Sequence, residues 1–112
     1  MARVTIRIDL SSKSAVGPGK VRLLELVGDT GSISAAGRAM KMSYRRAWLL
    51  IAELNRLFKN PVVISQPGGK AGGGARLTPF GKTLVRHYRD MEHRTQRVFA
   101  QHLKALEKAA RR

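Results

Sequence analysis

Apolar and polar residues alternate at the start of the chain, where Val4, Ile6, Ile8 and Leu10 interleave with Arg3, Thr5, Arg7 and Asp9. A period of two predicts a half-buried β-strand. Ser11 to Gly19 is rich in turn-forming residues. Pro18 suits the first turn of a helix that carries Val21, Leu24 and Val27 on one face and ends at Asp29-Thr30-Gly31. Two further helices joined by a tight turn are predicted next. The first has Ser34 as its expected cap and contains Ala35, Ala36, Gly37 and Ala39, small residues that let a crossing helix approach closely. Ser43 is the expected cap of the second, and Ala47, Ile51, Leu54 and Phe58 form its core-facing stripe at helical spacing. This helix runs to about Lys59, where Asn60-Pro61 breaks it.

Beyond that break the period changes again. Val62 to Gln66 is short and β-branched, Pro67 to Gly74 holds five glycines around Lys70, and Ala75-Arg76-Leu77 reads as the returning strand of a β-hairpin. Thr78-Pro79 supplies an N-cap and a first-turn proline for a long helix. Phe80, Leu84, Tyr88, Met91, Val98, Phe99, Leu103 and Leu106 recur along it at helical spacing, and only Ala109 to Arg112 reads as a frayed tail. Strand, helix, helix-turn-helix, glycine-tipped hairpin and long helix together make a mainly α chain with a small β-hairpin, a winged helix-turn-helix with a long C-terminal helix. The expected division is residues 1–78 for the winged unit and 79–112 for the helix. A helix of roughly thirty residues extends beyond so small a domain, which favours a partner helix and a homodimer.

Charge narrows the function. The 112 residues carry 22 Lys+Arg against 7 Asp+Glu, a formal +15 at pH 7, which attracts polyanions and nucleic acid first among them. A helix that reads the major groove enters by its first turns, and Tyr44, Arg45 and Arg46 occupy those turns behind Ser43. Arginine matches guanine O6 and N7 by bidentate hydrogen bonds. Tyr44 is compatible with a thymine methyl, a phosphate or a packing role, and Trp48, between the polar and apolar faces, reads as a packing residue. Lys41 in the turn, Ser34, Lys70 at the glycine-rich tip and Arg76 complete the expected contacts with double-stranded DNA.

Other chemistries fail on spacing. Gly81-Lys82-Thr83 lacks the P-loop glycine five residues earlier, where Arg76 stands. His87, His93 and His102 are not spaced to aim two imidazoles at one metal, and no cysteine is present. No enzyme, metal site or cofactor is therefore expected. With no apolar run of about 20 residues and no signal-peptide core at the N-terminus, a cytoplasmic location without membrane contact is expected. The rival readings are an architectural or RNA-binding basic protein of low sequence choice, and an adaptor whose apolar helix recruits a separate sensor protein.

At the residue level Gly31-Ser32-Ile33-Ser34, Ser43-Tyr44-Arg45-Arg46-Ala47-Trp48, Glu53-Leu54-Asn55-Arg56-Leu57 and the Gly68 to Ala75 wing with Leu77-Thr78 and Phe80-Gly81 form a distinctive set. Over roughly residues 18 to 90 the chain resembles the N-terminal DNA-binding domain of the molybdate-responsive transcriptional regulators, the ModE family, itself similar to LysR-type DNA-binding domains. The resemblance implies a DNA-binding dimer that regulates transcription. Family members of full architecture bind molybdate or tungstate in β-domains after the long helix; this sequence stops at Arg112, so no oxyanion sensor is expected in it and any such response is expected from a separate protein.

Overall fold

The computed structural model describes residues 1–67 and 74–111. Among them the elements run β1 (Ile8–Asp9), β2 (Ala15–Val16), α1 (Pro18–Thr30), α2 (Ile33–Ala39), α3 (Tyr44–Leu57), β3 (Val63–Gln66), β4 (Gly74–Leu77), α4 (Pro79–Val98) and α5 (Ala100–Ala109). This is a winged helix-turn-helix, in the expected order. Lys70, the expected contact at the wing tip, lies outside the described residues.

The core forms where the apolar periods converge. Val21, Leu23, Leu24 and Val27 of α1, Ala36 of α2, and Ala47, Ile51 and Leu54 of α3 are buried together with Val62, Val63, Ala75, Leu84 and Tyr88. Pro18 opens α1, and Gly31 closes it with φ 71°, a left-handed conformation that costs glycine nothing. Its N–H donates to the Val27 carbonyl at 2.8 Å. Where α2 crosses α3, a Cβ on Gly37 would stand 3.0 Å from that of Ala47. The small residues in α2 thus set the closeness of the crossing.

Four expectations about boundaries are corrected. Ser34 is not the cap of α2: Ser32 is, its hydroxyl accepting the Ala35 N–H at 3.0 Å, while Ser34 sits inside the first turn. The N-terminal strand narrows to two residues, Ile8 opposite Val16 and Asp9 opposite Ala15, paired with a strand inside the supposed connector. From Ala2 to Ile8 the alternation of half-buried and exposed positions persists without a ladder, because this stretch lies along the C-terminal helices instead. The Ala2 and Val4 N–H groups donate to Glu107 and Gln96 side chains, and Tyr88 Oη donates to the Ile6 carbonyl at 2.8 Å. Helix α3 stops at Leu57, since Phe58 is already extended. The single long helix is two, broken at Phe99. Four residues before the break Thr95 turns its hydroxyl back onto the Met91 carbonyl at 2.7 Å, a bond that bends helices.

Wing and helices are joined at three points. Asn55 of α3 accepts the Val62 N–H at 2.8 Å and the Val63 N–H at 3.3 Å on Oδ1, and donates to the Val63 carbonyl from Nδ2 at 3.1 Å. On the return strand the Ala75 N–H donates to the Gly31 carbonyl at 2.9 Å. Thr78 caps α4 by accepting the Gly81 N–H at 2.9 Å, and its hydroxyl donates to the Pro61 carbonyl at 2.7 Å. Elsewhere Arg89 clamps α1 to α4 with bonds of 2.7 and 3.1 Å to Glu25 and a further bond to Glu92. Those hydrogen bonds, working against desolvation, hold the Glu25 carboxyl below the usual carboxylate range.

Two glycines separate close approach from open space. A Cβ on Gly81 would fall 2.2 Å from the Val62 carbonyl oxygen, whereas one on Gly19 meets nothing within 4 Å. Gly81→Ala is expected to cost about 2–3 kcal/mol through overpacking against backbone, and Gly19→Ala to add about 0.5 kcal/mol by restricting the unfolded chain. Urea unfolding of the two variants checks both signs; equal midpoints would contradict the packing at Gly81.

Candidate nucleic-acid interface

The turn between α2 and α3 is built on backbone hydrogen bonds. The Lys41 N–H donates to the Arg38 carbonyl at 3.0 Å and the Met42 N–H to the Gly37 carbonyl at 2.9 Å. Lys41 takes φ 59°, the one described non-glycine residue with positive φ. This left-handed position turns the chain sharply enough for α3 to start beside α2 and leaves the Lys41 side chain exposed. Ser43 then caps α3, its hydroxyl accepting the Arg46 N–H at 3.1 Å. That cap orders the first turn, from which Tyr44, Arg45 and Arg46 project into solvent.

The structure brings most of the expected contact residues onto one side of the molecule. Lys41, Ser43, Tyr44, Arg45 and Arg46 follow one another across the turn and the start of α3. Half-buried Ser34 is one layer back, accepting a 2.8 Å hydrogen bond from Arg38 Nη1. A groove of about 560 Å³ separates this face from the wing, and Ser34, Tyr44, Trp48, Ser65, Gln66 and Ala75 are among its walls. Arg76 is exposed on β4, opposite Ile64 of β3.

The ion pairs of the described residues lie away from this face. The six ion pairs among the described residues join Arg7 to Asp9, Lys20 to Glu53, Arg22 and Arg89 to Glu25, Arg89 to Glu92, and Arg94 to Asp90. Arg38, Lys41, Arg45, Arg46 and Arg76 belong to none of them, and Glu53 is the one acidic residue between Asp29 and Asp90. Carboxylates are spent in holding the scaffold together. The face formed by the turn, α3 and the wing keeps its positive charge.

Comparison with known families gives this face a context. Residues 19–82 match the family described as bacterial regulatory helix-turn-helix protein, lysR family, a span that contains the turn, both of its helices and the wing. The chain belongs to this family. It is 44% identical over 81% of its length to the molybdenum-pterin-binding protein MopB of Rhodobacter capsulatus, covering 34% of that protein. Similarity extends to the molybdenum transport protein ModE of Azotobacter vinelandii, at 36% identity over 82% of this chain and 33% of the relative. The DNA-binding transcriptional dual regulator ModE of Escherichia coli strain K12 is 34% identical over 88% of this chain and 37% of its own length. The chain thus spans about a third of the length of these relatives, and it is similar to ModE-type proteins in the part that carries the lysR-family helix-turn-helix.

Four residues at this lysR-type site escaped the sequence reading or were assigned otherwise. Trp48, expected to pack between the polar and apolar faces, is half exposed beside Tyr44 on the wall of the groove. Leu49 is also exposed. Arg38 joins the basic face from α2, signalled only by its position four residues after Ser34. Asn55 gave no signal of its role, since an asparagine inside a helix gains its meaning from the strand it reaches. Among the described residues no group of three or more His, Cys, Asp or Glu side chains is placed to hold a metal ion, and no helix is long and apolar enough to cross a membrane.

The turn itself can be tested without a ligand. Lys41→Gly removes the cost of a left-handed lysine, about 1–2 kcal/mol, and adds unfolded-state entropy, leaving an expected gain of about 0.5–1 kcal/mol. Ser43→Ala is expected to lose about 1 kcal/mol with the cap. Chemical denaturation checks both, and a Lys41→Gly variant less stable than the parent would mean that its side chain supports the turn.

Proposed function

We propose that this chain is a sequence-specific double-stranded DNA-binding regulator of transcription, of ModE/LysR type, that acts as a homodimer. The observation that carries the proposal is the unpaired basic turn and first turn of α3, set beside a wing whose angle to that helix is fixed by Asn55. Phosphate contacts from Lys41, Arg38, Arg76 and the wing hold the register, and Tyr44, Arg45 and Arg46 meet base edges. The relatives' names, one of which describes a DNA-binding transcriptional regulator, support this reading. An architectural protein would be served by charge without a fixed reading element; the exposed Arg45 and Arg46 in the first turn of a capped helix favour the regulator.

Selection of bound duplexes from a random pool tests the proposal and supplies a preferred sequence. Arg45→Ala or Arg46→Ala is then expected to lower affinity for that sequence by about 1–3 kcal/mol per lost bidentate contact and to relax base choice. Arg76→Ala and Lys41→Gly should weaken all duplexes about equally and reduce the salt slope by about one unit each. Molybdate, compared with sulfate at equal ionic strength, is expected to leave these affinities unchanged. Equal losses on preferred and scrambled duplexes for both kinds of variant would contradict the division between reading and positioning.

The dimer rests on the C-terminal helices. Met91, Phe99, Leu106 and Val98 remain exposed on α4, α5 and the break between them, the last two at 66% and 72%, more apolar surface than a solvated helix needs. Residues 79–112 are assigned to dimerisation on that ground. Two-fold symmetry places the reading helices about 34 Å apart, or a multiple of it, and makes the preferred sequence an inverted repeat. Sedimentation equilibrium at micromolar concentration should show the dimer mass, and Val98→Glu with Leu106→Glu should shift it to monomer. A folded monomer of the parent chain would remove this assignment.

A further inference from the structure

The reading helix carries apolar side chains where a solvated helix would carry polar ones. Outside the N-terminal segment and the C-terminal helices, the large apolar residues exposed among those described are Tyr44, Trp48 and Leu49, at 57%, 50% and 45%. All three lie within the first two turns of α3. At about 100° per residue, Leu49 points roughly 200° away from buried Ala47, on the outer row one turn beyond Arg45. Trp48 stands one turn beyond Tyr44, on the row that faces the wing. Each apolar side chain is therefore the next contact along the helix after a polar one.

We infer that Trp48 and Leu49 recognise thymine through its 5-methyl group, so that the preferred duplex carries thymines within a few base pairs of the guanines read by Arg45 and Arg46; this rests on the sequence-specific reading proposed above. The surroundings select the occupant. Apart from the apolar pair, the outer side of this region carries Arg38, Lys41, Arg45 and Arg46, with no acidic residue from Thr30 to Ala52. An apolar protein partner seated here would bury those cationic groups without counter-charge. A DNA duplex supplies phosphates for the charges. On its major-groove edges it offers one apolar group, the thymine methyl. The turn that separates Arg45 from Leu49 rises about 6 Å, close to two base-pair steps of about 3.4 Å, so guanine and thymine contacts are expected about two base pairs apart.

The experiment replaces thymines of the pool-selected duplex one at a time by deoxyuridine, which deletes the methyl and keeps the base pair. The parent protein is expected to lose about fourfold in affinity for each methyl contacted, the worth of burying one methylene-sized group. Trp48→Ala should bind the thymine duplex more weakly and lose the difference between thymine and uracil at its position, Leu49→Ala should lose it at another, and Arg45→Ala should retain both. Because the first arm changes only the DNA, it does not depend on any variant folding. A parent protein indifferent to every uracil replacement overturns the inference, as does a thymine preference that survives in the Trp48→Ala, Leu49→Ala double variant. Failure of the pool to enrich any sequence would instead remove the sequence-specific reading on which the inference stands.

Discussion

The three hydrogen bonds of Asn55 are the constraint on which the rest of the binding face depends. A wing is useful to a reading helix only if the distance and angle between them are constant, since one meets phosphates whose spacing is set by the duplex and the other meets bases at a fixed depth. Asn55 ties the helix to the first wing strand with bonds of 2.8, 3.1 and 3.3 Å. Because they satisfy backbone groups at buried Val62 and Val63, losing the side chain leaves donors stranded, at about 1–3 kcal/mol for each unsatisfied group. Gly31 and Thr78 brace the same unit from α1 and α4. The close seat of Gly81 under Val62 leaves α4 little room to shift. These contacts tie α3, the wing strands and the start of α4 together.

Electrostatics divides the molecule along the same line. Glu25 staples α1 to α4 through Arg89, which Glu92 holds from within α4, and Glu53 is turned toward Lys20. Acidic groups neutralise basic ones where the scaffold needs holding, and among the described residues none of them pairs with Arg38, Lys41, Arg45 or Arg46 where the turn and α3 begin. Such a field raises encounter rates with a polyanion but carries no sequence information. The proposed choice among sequences needs the geometry of the first turns of α3, which depends on the Ser43 cap and on the left-handed Lys41.

How much of this was legible in the sequence follows from what each residue depends on. Ser43, Thr78-Pro79 and the stripe Ala47, Ile51 and Leu54 signal locally, by capping chemistry and helical period, and the elements they predict are present. Ser32 and Ser34 are both competent caps; the choice between them is made by where Gly31 ends α1, a tertiary matter. The period-two pattern at the N-terminus shows which side is covered without showing whether a strand or a pair of helices covers it. The break at Phe99 has neither proline nor glycine to announce it. Of the face itself, Arg45 and Arg46 were legible because position in the first turn decides their exposure. Trp48 stands at the boundary of the apolar arc, where a few degrees of rotation separate core from groove. The Asn55 contacts join residues seven and eight apart through a chain reversal, and no helical or strand period records them.

Charge and shape act separately on this face, and salt separates them. Binding constants for the preferred duplex and for a scrambled duplex of the same composition, measured as a function of salt concentration, should both fall steeply on a double-logarithmic plot as counterion release is suppressed. The preferred duplex is expected to stay at least about a thousandfold tighter throughout. Two coincident lines would contradict it, leaving a basic protein that binds DNA by charge alone.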